Sequence, residues 1–272
     1  MAKEKPKYDK LVFKVSTMND EPVGYFEWGD ERNELFSRYY EISEIEEPAD
    51  AMKELQQLID EDAEFLDAYN GLGWWEYTLK NYGNALSLFY FSYEIATEKI
   101  PMDFQGKIEW GFMENRPFLR TMHGLATCFV SMRGFENSIE VCNQLLEYNP
   151  MDNLAARALL VESYLFTGEY KKILKLCKKF EDDVLPDTLY GKFIAYFRLE
   201  NMAKATESLK QAYVYSPAVA QEVVKSKHKK LKSSSNVMLA GSEEEAIDYW
   251  MRTRYVWNEP EIVKFIKTTL SL

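Results

Sequence analysis

The chain has 272 residues, 46% of them hydrophobic and 28% charged, and carries a formal net charge of −11. That is enough apolar material for a substantial core, and the acidic balance argues against nucleic acid as the main partner, because binding to phosphates relies on a concentrated positive field. No run approaches the ~18 apolar residues of a membrane span, and the opening MAKEKPKYDK lacks the apolar core of a secretory signal, so a cytoplasmic location with no membrane partner is expected.

Residues 1–31 hold two short runs rich in β-branched and aromatic residues, 11–15 and 23–28, separated by the turn-prone Asn19-Asp20-Glu21-Pro22. This pattern predicts a hairpin or extended segment. An isolated hairpin is marginal in water, so it is expected to pack on the first helices that follow.

From 32 to 219 the chain repeats itself every 32 to 35 residues once one inserted stretch is set aside. Ala51, Ala85, Ser138 and Ala205, with Ile173 in the same slot, each open the second helix of a helix-turn-helix unit. Tyr82, Phe135, Tyr170 and Met202 lie three places upstream, and Leu55, Phe89, Cys142, Cys177 and Leu209 four places downstream. A small residue lets two helices approach closely, and the bulky ones fill the stripe between neighbours. The first repeat also carries ten carboxylates between residues 41 and 64 against the single cation Lys53, which reads as a solvated flank or as a landing surface for a basic segment.

Tyr69-Asn70-Gly71-Leu72-Gly73 through Tyr82 and Ala85 to Phe89, and then Leu125-Ala126, Phe129, Phe135, Ser138 and Asn149-Pro150, resemble the tetratricopeptide repeat (TPR) family. The resemblance covers about two thirds of the chain and implies an all-α fold. That fold is a right-handed TPR-like solenoid of about five helix pairs, spanning 32–219. In that family the first helix of each pair lines a concave face. The slots concerned hold Phe36 and Tyr40, then Asn70, Trp74 and Tyr77, then Arg120, His123 and Thr127, then Glu162 and Phe166, and finally Tyr190 and Arg198. An aromatic groove with scattered polar groups suits a peptide or a partner domain. The chaperone-binding class of the family places lysines where this chain has Phe36 and Thr78, so chaperone-tail binding is not expected.

The insertion over about 97–117 separates repeats two and three and carries Trp110, Phe112 and Arg116. Connections of this length are uncommon without a role, and two readings stand: packing of the seam, or partner contact. Residues 220–272 are expected to form a helical cap. Lys225, Lys227, His228, Lys229, Lys230 and Lys232 lead into a loop near 231–241; Ser242 and Glu245 form a capping-box signature for a helix to about Val256; and Pro260 starts a last helix with Ile262, Ile266 and Leu270 as its stripe.

Chemistry-bearing motifs are absent. The three cysteines lie in predicted repeat helices without CxxC spacing, and the chain has two histidines and no HExxH, P-loop, dinucleotide fingerprint or GxSxG elbow. No cofactor, metal or catalytic residue is expected. The function read from the sequence is a non-enzymatic interaction module or adaptor; the alternative is a structural subunit or homo-oligomer that packs through the insertion and the C-terminal helices.

Overall fold

A computed structural model describes residues 8, 10–231 and 239–272, so Lys232 and most of the loop expected over 231–241 lie outside the described residues. The chain divides into two compact units, residues 1–159 and 160–272. Both are built of paired antiparallel helices, and the fold is the TPR-like helical repeat that the spacing predicts.

The first unit opens with the expected hairpin, in which β1 (Val12–Met18) pairs antiparallel with β2 (Glu21–Glu27), Val12 opposite Glu27 and Met18 opposite Glu21. Asn19 and Asp20 both take positive φ, 51° and 63°, the geometry of a two-residue I′ turn that Asn and Asp tolerate. Three helix pairs follow: α1 (Asn33–Ile42) with α2 (Pro48–Glu61), α3 (Leu66–Thr78) with α4 (Tyr82–Thr97), and α5 (Arg116–Ser131) with α6 (Phe135–Tyr148). The slot residues behave as their spacing requires: Ala51, Ala85 and Ser138 are fully buried, as are Phe89 and Cys142. Phe89 is the joint between pairs two and three. Its ring lies against the backbone of both Gly73 and Gly124, where a Cβ would collide with it.

The insertion is tied down along its length. Lys107 forms a parallel bridge with Val23 of β2, with the Gly24 amide donating to the Lys107 carbonyl at 2.7 Å and the Lys107 amide to the Pro22 carbonyl at 3.0 Å. Asn115 completes the join. Fully buried, it accepts from the Phe26 amide at 3.0 Å and donates to the carbonyls of Gly24 and Glu109, both at 3.1 Å. The hairpin therefore packs mainly through the insertion and Phe118 of α5, as well as through Trp28 on Phe36 of α1.

α7 (Ala156–Thr167) runs across the division between the units. The second unit continues with α8 (Tyr170–Lys179), α9 (Pro186–Arg198), α10 (Met202–Tyr215), the short α11 (Pro217–Val223), α12 (Glu243–Trp257) and α13 (Pro260–Leu270). Ser242 caps α12 by accepting from the Glu245 amide at 3.1 Å, while the Glu245 carboxylate reaches back to the Gly241 amide at 2.7 Å. Ile173 and Ala205 fill the small-residue slots of this unit and are fully buried.

One backbone device recurs in both units. Lys80, Arg133, Gly168 and Glu200 each sit at positive φ two residues before the second helix of a pair. The amide of the next residue closes back five positions, as in Asn81 to Glu76 and Asn201 to Tyr196, both at 2.9 Å. This is the Schellman ending, which satisfies the last carbonyls of the first helix while turning the chain. Only Gly168 is the residue type that the conformation favours.

Candidate interaction surface

The first-helix slots fare differently in the two units. In the first unit, Trp74 and Tyr77 on α3 stand beside His123, Thr127 and Ser131 on α5. The Trp74 and His123 rings are 6.1 Å apart, Trp74 leans on Tyr77 and Phe89, and the Tyr77 hydroxyl and Ser131 Oγ are 2.8 Å apart. Trp74, Tyr77, His123 and Thr127 keep part of their surface, and Tyr40 on α1 is 60% exposed. Burial pushes His123 down to about 4, so the imidazole is neutral at physiological pH. The face is then uncharged at its centre and aromatic, with a hydrogen-bonding ring nitrogen. Thr127 spends its hydroxyl on the His123 carbonyl at 2.8 Å.

Three residues expected on this face serve the fold instead. Asn70 is buried, donating to the Pro117 carbonyl at 2.9 Å and accepting from Thr121 at 2.8 Å, so its amide fastens α3 to the start of α5. Arg120 is held by the buried Asp67 at 3.0 Å and lies over the Trp110 ring. Burial raises the Asp67 carboxyl above its ordinary value, and Arg120 opposes that rise. Phe36 packs between Trp28 and Phe65.

The insertion residues pack in the same way. Phe112 stacks on Tyr25 at 5.4 Å, the Arg116 Nε donates to the Trp110 carbonyl at 3.1 Å, and the Arg116 guanidinium covers the Trp110 ring at 4.9 Å. The acidic flank is partly committed too: Asp62 takes the buried Arg32 through two hydrogen bonds of 2.5 and 3.1 Å, and Glu64 takes Lys99 at 2.7 Å. Glu41, Glu44, Glu46, Glu47 and Asp50 remain exposed.

In the second unit the corresponding slots lie under the C-terminal helices. Arg252 of α12 donates to Glu162 of α7 at 2.6 Å and to Asp187 of α9 at 2.9 and 3.4 Å, with Asp248 on its own helix at 2.8 Å. The Tyr255 hydroxyl donates to the Glu162 carbonyl at 3.2 Å, and its ring meets Phe166 edge-on at 5.4 Å. Arg198 is ion-paired with Glu259, and Phe265 of α13 packs on Phe193 and Phe197. Tyr190 is fully buried; its hydroxyl donates to the Ser216 carbonyl at 2.7 Å and accepts from the Ala220 amide at 3.1 Å, which pins α11. Glu162 and Tyr190 therefore have almost no surface to offer, and burial holds the Glu162 carboxyl above its usual range despite Arg252. Asp187 and Arg252 carry no sequence signal, because pairings across 65 and 90 positions leave no local spacing to read.

The three thiols are buried, and burial pushes Cys128 and Cys142 up to about 12 and Cys177 to about 11, which keeps them as inert apolar fillers. Among the described residues no cluster of His, Cys, Asp and Glu is placed to hold a metal, and no helix is long and apolar enough to cross a membrane.

Comparison with solved structures finds "Crystal structure of YrrB: a TPR protein with an unusual peptide-binding site", which shares the fold with a TM-score of 0.50 at 18% identity, over 66% of this chain and 83% of that one. No curated protein sequence matches the chain. A family model described as Transcriptional repressor TCF25 matches residues 86–272. The match starts inside α4 and takes in α5 to α13, hence the α5 side of the partly exposed face and the whole of the second unit. Because it spans more than half of the sequence, the chain belongs to the TCF25 family.

Proposed function

We propose that the chain is a non-enzymatic protein-interaction module that receives an extended peptide or a partner element on the α3–α5 face of its first unit. The observation that carries this reading is the juxtaposition of Trp74, Tyr77 and His123, partly exposed and mutually braced, on adjacent first helices. Braced aromatics offer large contact area at little entropic cost, which is what the energetic centres of interfaces require. The fold it shares with YrrB, described as a TPR protein with an unusual peptide-binding site, supports the same kind of use.

The family description adds a setting: a module of a transcriptional repressor would bring partner proteins together in the nucleus. The cytoplasmic expectation points elsewhere, and imaging a tagged chain in cells separates the two. The interaction itself is tested by affinity capture from native lysate with wild type and with Thr127→Glu and Thr127→Arg, which alter the face at a partly exposed side chain outside the Trp74, Tyr77 and His123 ring contacts. A protein retained by wild type and lost with both variants, at unchanged helicity, is the expected result. Equal retention by all three would refute the assignment of this face.

A further inference from the structure

α12 packs along α11 and, through Arg252 and Tyr255, also covers in the second unit the kind of first-helix face that the first unit leaves partly exposed. Its grip is specific in kind: one arginine inserted between two buried carboxylates from different helices, Glu162 on α7 and Asp187 on α9, and one tyrosine three residues later whose hydroxyl reaches a main-chain carbonyl of α7. We propose that the α7–α9 face is a binding site for a helix carrying arginine and tyrosine at i and i+3, that α12 fills it in cis, and that a partner helix of the same chemistry displaces α12.

Charge favours a cationic occupant. The face supplies two carboxylates, Glu162 and Asp187, against the single guanidinium of Arg252, while Asp248 steadies that guanidinium from within α12 itself. The fit of α12 is also imperfect: its Tyr249 hydroxyl is buried without a hydrogen-bond partner among the described residues, and such a group weakens the hold of the helix that carries it. At the junction of α12 and α13 a cleft of about 210 Å³, lined by Phe166, Tyr170, Arg198, Tyr255 and Glu259, opens onto the contact and gives a competing side chain a place to enter.

The test uses the full chain and a labelled synthetic peptide of residues 241–258. In the Arg252→Glu variant, α12 carries a charge that Glu162 and Asp187 repel, and the face becomes available in trans. The wild-type peptide should then bind this variant at least about tenfold more tightly than it binds wild type, and a peptide with glutamate at position 252 should bind neither. Equal binding to both chains, or binding that ignores the charge of the peptide at that position, overturns the proposal. Should the variant fail to fold, native-state hydrogen exchange on wild type decides the matter. Amides of α12 and α13 should open together with at least about tenfold less protection than those of α9 and α10, and exchange of all four helices only through one global opening would contradict a displaceable occupant.

Discussion

At the scale of single residues, the packing of Phe89 is where the repeat pattern becomes a physical constraint. Its ring fills the space above Gly73 and Gly124, so Gly124→Ala should cost about 1–3 kcal/mol through overpacking, measured by urea denaturation, whereas Gly83→Ala, at a glycine with open space around it, should cost nothing by that route. His123 makes a second test. Its folded value near 4 lies below the ordinary 6.5, so the unfolded state binds the proton more readily, and the stability this residue contributes is complete above pH 6.5 and lost as the pH falls towards 4. Wild type should lose up to about 3 kcal/mol across that window relative to His123→Leu, and parallel stability profiles for the two would disprove the burial argument. Buried residues of this kind were readable from sequence wherever a slot repeats, as with Ala85, Phe89 and Cys142. Asn70 and Glu162 were not. The groove-facing slot is defined by helix geometry alone, and whether a polar side chain there meets solvent or a partner 50 to 90 residues away depends on contacts that local spacing does not encode.

At the scale of elements, the helix ends and the insertion carry the testable content. Lys80 and Glu200 hold a left-handed conformation that costs a side chain about 1 kcal/mol or more and glycine nothing sterically, so Lys80→Gly and Glu200→Gly should each stabilise the fold by up to about 1 kcal/mol in thermal or urea unfolding. Gly168 already occupies the equivalent place in repeat four. The insertion makes the opposite prediction. Asn115→Ala removes the buried side chain that joins β2 to the loop and leaves the Phe26 amide without its acceptor, a loss of about 1–3 kcal/mol, and should raise amide exchange in β2 before it affects α3 or α4. Helix existence is legible because caps and periodicity are local, and Ser242 with Glu245 and Pro260 stand at the starts of the last two helices, whereas the second helices of the pairs begin three residues before the small slot, at Tyr82, Phe135, Tyr170 and Met202, because the Schellman turn ends directly ahead of the large residue. The sequence alone supports two roles for the insertion, packing and partner contact. Its aromatic and cationic residues are the types that an interface also uses, and only the positions of Tyr25 and Gly24 reveal that Phe112 and Asn115 are engaged within the chain.

At the scale of the whole molecule, the account rests on an asymmetry between the two compact units: a partly exposed aromatic face on α3 and α5 in one, and a face on α7 and α9 already occupied by α12 in the other. The sequence marks both as equivalent first-helix positions, and the C-terminal helices read from it as an end cap; nothing in the local pattern of α12 indicates that Arg252 would reach α7 and α9. The most direct test of the interaction claim is site-specific photo-crosslinking in cells, with a photoreactive phenylalanine analogue at Thr127 on the α5 face and, as a comparison, at Tyr90, which is half exposed on α4. A discrete protein adduct formed from position 127 and not from position 90 is the predicted result. Adducts from position 90 alone, or none from position 127 in a chain that is folded and expressed, would contradict the assignment of the α3–α5 face as the surface through which this protein works.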